Sequence, residues 1–150
     1  MLTAVTAAST FGALLVGLLG LRANKRRALP HAKVSIVPGV ERSPDGMCRQ
    51  YRAIEVVNDG QTSFSITQIG FNVGKRGGRF IPVDQFVPNV EYKRYVPPGA
   101  FVEIRLNRDI CAALAGSKAV FVFTRFATGD EFFSKKVRED FAALATLIYP

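Results

Sequence analysis

Histidine occurs once in this 150-residue chain, at His31. A histidine-based triad or a histidine-rich metal site needs partners that one histidine does not provide. The two cysteines, Cys48 and Cys111, stand in no C-x-x-C pair. They read as two thiols in a reducing compartment, or as one disulfide in an oxidising one. Two acid pairs occur, Asp130-Glu131 and Glu139-Asp140. The first falls in a turn and the second at a helix start, where carboxylates suit the helix dipole. Gly74-Lys75-Arg76-Gly77-Gly78 is basic and glycine-rich but lacks the G-x-x-x-x-G-K-[ST] spacing, and no helix follows it. It reads as a hairpin tip in which Lys75, Arg76 and Arg79 form a candidate anion-binding loop. Lys93-Arg94 between Tyr92 and Tyr95 has the basic–aromatic mix of single-strand binders, and equally that of an edge strand guarded by charge. No reactive set converges, so the expectation is a binding protein rather than an enzyme, with no metal and no cofactor.

The position of the charge says more than its total of +8. All 12 acids lie from Glu41 onward, whereas Arg22, Lys25, Arg26, Arg27 and Lys33 cluster with no acid among them. A nucleic-acid binder would carry its basic face on the folded domain, which makes nucleic acid a poor candidate partner. Those five side chains instead form a candidate membrane-surface or anion-binding site, because a basic residue near anionic headgroups contributes about 1 kcal/mol.

Before that cluster, Leu2–Leu21 carries no charge, no proline and no amide. As a helix, some twenty residues rising about 1.5 Å each span roughly the 30 Å of a bilayer's hydrocarbon. Residues 1–22 are therefore expected to be a transmembrane signal-anchor and residues 23–33 a basic juxtamembrane linker. A cleaved signal peptide would carry its positive charge before the apolar core, and none precedes Arg22. A helix docked in an assembly such as a virion stays open as an alternative. Positive flanks stay cytoplasmic, so the expected topology is single-pass, with the N-terminus outside and the domain in the cytoplasm. Ala4, Ala8 and Gly12, beside Ser9, Ala13 and Gly17, recur four apart. Such stripes permit close helix approach, and self-association through them is an expectation.

Residues 34–150 are expected to form one β-sandwich domain. Twelve phenylalanines and no tryptophan require a core or an interface to bury them. Short apolar segments separated by turn residues predict strands at Val34–Val37, Arg52–Val57, Ser63–Val73, Phe80–Val83, Tyr92–Val96, Phe101–Leu106, Ala119–Phe126 and Glu131–Val137. Asn58-Asp59-Gly60 and Thr128-Gly129-Asp130 mark turns. A change of apolar phase between Ile66 and Ile69 predicts a bulge. Val102, Ile104 and Leu106 alternate with Glu103 and Arg105, as in a half-buried strand. Arg108–Leu114 predicts a helical turn or two capped by Asn107. Phe141, Leu144, Ala145 and Ile148 recur at helical spacing and predict a C-terminal helix of about three turns. The sum is mainly β: an antiparallel, immunoglobulin-like sandwich with a short C-terminal helix, lacking the Cys…Trp…Cys pattern of antibody domains.

An apolar anchor and basic stop, then Val57-Asn58-Asp59-Gly60, Ile66-Thr67-Gln68-Ile69-Gly70-Phe71, Pro97-Pro98-Gly99 and Thr128-Gly129-Asp130, resemble small uncharacterised bacterial single-pass membrane proteins with a β-sandwich domain. The resemblance implies an anchored domain and carries no catalytic residues. The expected function is a membrane-anchored interaction or scaffold module with a protein partner, lipids being met at the surface. The alternatives are an anionic-lipid or nucleic-acid binder, or a virion or assembly component.

Overall fold

The first two strands form the longest hairpin of the domain. β1 (Ala32–Arg42) pairs antiparallel with β2 (Cys48–Asn58) through eleven register partners, Ala32 facing Asn58 and Arg42 facing Cys48. The computed structural model describes residues 30–74, 78–87 and 95–147. Pro44-Asp45-Gly46 makes the turn. Gly46 takes a positive φ of 84°, which suits a residue without a Cβ. Asp45 accepts the Met47 amide, and its carboxyl is held below the usual range by the Ser43 hydroxyl first and that amide second.

Both strands run further than the expected segments, for one reason. Pro38 and Gly39 read as strand breakers, but β1 is an edge strand and proline is tolerated there. Gly39 leaves room for the Tyr51 ring: a Cβ there would come within 2.1 Å of it and displace it. That ring is held in turn by its hydroxyl, which donates to Glu103 at 3.1 Å, and by the Arg105 guanidinium 4.4 Å above it.

β5 (Phe101–Arg105) flanks β2 on its other side and completes a three-stranded sheet ordered β1-β2-β5. β3 (Ile66–Val73), β4 (Arg79–Pro82), β6 (Val120–Phe126) and β7 (Glu131–Phe133) form a second antiparallel sheet ordered β4-β3-β6-β7. The register of β3 against β6 shifts between Ile66 and Gln68, where the apolar phase predicts a bulge. β6 is apolar on both faces and lies in the interior of its sheet.

One hydrophobic cluster fills the space between the sheets. Ile54, Val56, Val102 and Ile104 contribute from one side, and Ile69, Phe71, Val120 and Val122 from the other. Leu106 is buried just beyond β5, continuing its alternation. At one end, α1 (Arg108–Leu114) and α2 (Phe141–Leu147) add Ile110, Leu114 and Phe141 to the cluster. Asn107 caps α1 by accepting the Ile110 amide at 2.9 Å, and Asp140 accepts the amides of Ala142 and Ala143 at 3.1 Å. At the other end the Phe64 and Phe126 rings stack at 3.9 Å. Beside them Asn58 is fully buried. Its amide donates to the carbonyls of Thr62 and Val96, and its Oδ1 accepts the Gly60 amide.

Other expectations differ in extent, β3 starting at Ile66 rather than Ser63. Tyr92–Val96 falls partly outside the described residues, and Val96 makes only an isolated bridge with Phe64. β7 is shorter than Glu131–Val137. The described C-terminal helix is two turns, with Ile148 outside the described residues. The expected anchor and its small-residue stripes also lie outside them; among the described residues no helix is long and apolar enough to cross a membrane.

Candidate functional site

The shortness of β7 leaves a groove beside it. Past Phe133, the Ser134 amide still donates to the Val122 carbonyl, but the Val122 amide turns to the Ser134 hydroxyl at 2.9 Å. The hydroxyl has replaced a backbone carbonyl, so the ladder breaks. It resumes at Val137, whose amide donates to Val120. Lys135 and Lys136, between the two, leave the ladder and stand exposed.

This segment runs alongside β1 in the same direction. At one end His31 meets the edge of the Phe132 ring, centroids 6.3 Å apart. At the other, Glu139 accepts from the Nε of Arg52, the register partner of Pro38 on β1. β1 and β7 each close one side of their sheets. No backbone hydrogen bond joins β1 to residues 133–139 among the described residues. Between them lies an open groove of about 750 Å³. Its apolar lining includes Val34, Ile36, Phe133 and Val137, and its cations are Lys33, Lys135, Lys136 and Arg138.

The charge of the groove is one-sided. Its two acids are engaged: Asp59 with His31 Nδ1 at 2.5 Å, and Glu139 with Arg52 at 3.3 Å. The four cations are exposed, and among the described residues none of them makes an ion pair. Apolar walls beneath unpaired cations suit a ligand with apolar and anionic groups.

The residues singled out from sequence fare unequally. Arg22, Lys25, Arg26, Arg27, Lys75 and Arg76 lie outside the described residues. Lys33 is an exposed strand residue of β1, and the fold sets it across from Lys135, Lys136 and Arg138. Arg79 is exposed on β4, at the opposite edge of the second sheet from β7, and belongs to a different surface. The run Lys135-Lys136-Val137-Arg138 is visible in the sequence. What marks it is its place opposite an open strand edge, which the sequence does not display.

The remaining reactive groups have structural roles. Cys48 and Cys111 are both free, the first exposed at the β1–β2 turn and the second buried in α1. Burial, and then the nearby Glu139 charge, pushes the Cys111 thiol up to about 11, so it stays neutral and unreactive. Asp130 accepts from the Thr128 hydroxyl, and Glu131 accepts from Arg125. The phenol of Tyr51 is pushed up by its bond to Glu103, and the Arg105 guanidinium is pushed up by its bond to Glu41. Among the described residues no three His, Cys, Asp or Glu side chains converge as metal ligands would. No family model, no curated protein and no solved structure matches the chain.

Proposed function

We propose that the chain is a membrane-tethered interaction module, in which an immunoglobulin-like sandwich binds a protein partner along the groove between β1 and residues 133–139. The observation that carries this reading is the groove itself: the outer edge of β1, unpaired among the described elements, beside the irregular segment after β7, apolar beneath and lined with four cations that make no ion pair among the described residues. Open edges are templates for pairing with another chain, and sandwiches use them for recognition.

The immunoglobulin-like assignment rests on strand order. Strands one, two and five share one sheet and strands three, four, six and seven the other. This is the order of an immunoglobulin-type sandwich whose fourth strand has joined the sheet of the third, sixth and seventh. In this reading the tether is Leu2–Leu21, and the flanking charges favour a cytoplasmic domain. Because His31 opens the groove directly after the basic segment, such a tether holds the groove close to the bilayer. That proximity also favours a second reading, in which Lys33 and the segment before it engage anionic headgroups.

A photo-crosslinking residue at Ser35, in the groove, and another at Ala112, exposed on α1, test the first reading in intact membranes. A protein adduct from position 35 alone, in the carbonate-resistant fraction, is expected. Leu15→Arg should release the chain from that fraction, since arginine at a helix centre costs about 2.5 to 3.5 kcal/mol on the insertion scale. Full-length wild-type chain in the soluble fraction, or equal crosslinking from both positions, overturns the proposal.

A further inference from the structure

Resting on the reading of the groove as a binding surface, we infer that its occupant is an acidic segment in extended conformation, added as a strand to the open edge of β1. Three observations select this ligand. The first is backbone valence. β1 pairs only with β2 among the described elements and runs eleven residues, so its outer edge offers amides and carbonyls to an incoming strand. The second is periodicity. Ala32 and Val34 are buried, whereas Lys33 is exposed and Ser35 partly so. A strand laid beside them shares that alternation, with one set of side chains against Val34, Ile36 and Val137 and the other toward the lysines. The ligand thus alternates apolar and acidic residues.

The third is charge. Lys33, Lys135, Lys136 and Arg138 have no acid of their own among the described residues, while Asp59 and Glu139 are engaged by His31 and Arg52. A second copy of this chain would bring four cations against four cations, which disfavours a symmetric pair across the groove. The charges that guard the edge against self-pairing are those that admit an acidic strand. The volume, about 750 Å³, lies in the range of specific ligand sites, and the groove from His31 to Ile36 accommodates a strand of roughly six or seven residues.

The test uses the full-length chain in uncharged detergent and a fluorescent peptide of about seven residues alternating valine and glutamate. Fluorescence anisotropy should report saturable binding that weakens as salt is raised. The double variant Lys135→Glu, Lys136→Glu should weaken it at least about tenfold while leaving the melting temperature unchanged, because both side chains are exposed. Lys118→Glu, an exposed site outside the groove, should bind as the wild type does. N-methylation of alternate peptide amides on the β1-facing side should abolish binding, and hydrogen exchange should show new protection at residues 32–36. Equal binding by the N-methylated peptide, or by a valine–lysine peptide, overturns the inference. So does the same protection from phosphatidylserine vesicles without peptide, which assigns the groove to headgroups. If crosslinking at Ser35 captures a partner but the acidic strand does not bind, the interaction-module reading stands and this ligand is wrong.

Discussion

Replacing Asn58 with alanine removes one side chain and leaves the turn that follows it without support. Asn58 is fully buried. Its amide donates to the Thr62 carbonyl at 2.9 Å and the Val96 carbonyl at 2.8 Å, and its Oδ1 accepts from the Gly60 amide at 3.1 Å. The Val96 carbonyl also accepts the Phe64 amide at 3.2 Å, so it keeps a partner when Asn58 is truncated. The Thr62 carbonyl and the Gly60 amide lose the bonds they make with Asn58. A buried polar group left without a partner costs about 1 to 3 kcal/mol, and both of these are partly reachable by water, so Asn58→Ala should cost about 2 to 4 kcal/mol. Asn58→Asp keeps the shape but turns a donor into an acceptor facing two carbonyls. Burial and those carbonyls both disfavour its charged form, so its folded-state pKa rises above the unfolded value. A raised acid pKa means that the folded state holds a proton the unfolded state has released. The aspartate variant therefore loses stability as pH rises above the unfolded pKa, and regains part of it as pH falls toward that value. Urea unfolding of the full-length chain, followed by circular dichroism at neutral and mildly acidic pH, measures both variants against wild type at constant m-value. A loss below about 0.5 kcal/mol for Asn58→Ala, the size of an ordinary surface change, would refute the claim that this side chain holds the turn.

Two further outcomes follow from burial. Ile104→Ala removes a core side chain and should cost about 2 to 5 kcal/mol, whereas Glu103→Ala on the solvent face should stay within about 0.5 kcal/mol despite losing the Tyr51 bond; chemical denaturation compares them, and equal losses would mean the strand's inward face is misassigned. Cys48, exposed, should alkylate rapidly at mildly alkaline pH, while Cys111, its thiol held neutral up to about 11, should react only after unfolding; mass mapping of intact and denatured chains distinguishes them. In intact cells the proposed cytoplasmic topology further requires Cys48 to escape a membrane-impermeant thiol reagent, and its labelling would overturn that orientation.

The groove changes how charge bears on this protein. In the linear chain the basic residues fall into a cluster over Arg22–Lys33, a second over Lys75–Arg79 and a scatter through the domain. In the fold, Lys33 from the first group meets Lys135, Lys136 and Arg138 from the last, separated in sequence by most of the domain. Arg79, a natural companion for Lys33 on grounds of charge alone, sits on the far edge of the other sheet.

Local chemistry determined much of the fold. Asn107 before Arg108–Leu114 caps a helix because its side-chain oxygen satisfies an amide that the first turn leaves free. The alternation of Val102, Ile104 and Leu106 sets the buried face of β5 because strand side chains point to opposite faces in turn. The phase change at Ile66–Ile69 requires a bulge, since no regular strand buries both phases on one face. These features depend on residues a few positions apart, and the sequence holds them in plain view. The length of β1 and the site were decided elsewhere. Whether Pro38 and Gly39 end a strand depends on whether that strand lies at an edge and on which ring covers the glycine. Both are properties of the assembled sheet. Likewise, a serine hydroxyl standing in for a carbonyl at Ser134, and the consequent opening opposite Lys33, require β6 to be in place to receive it. The groove sets the edge of β1 beside the segment after β7, and only packing two sheets on one core brings these together.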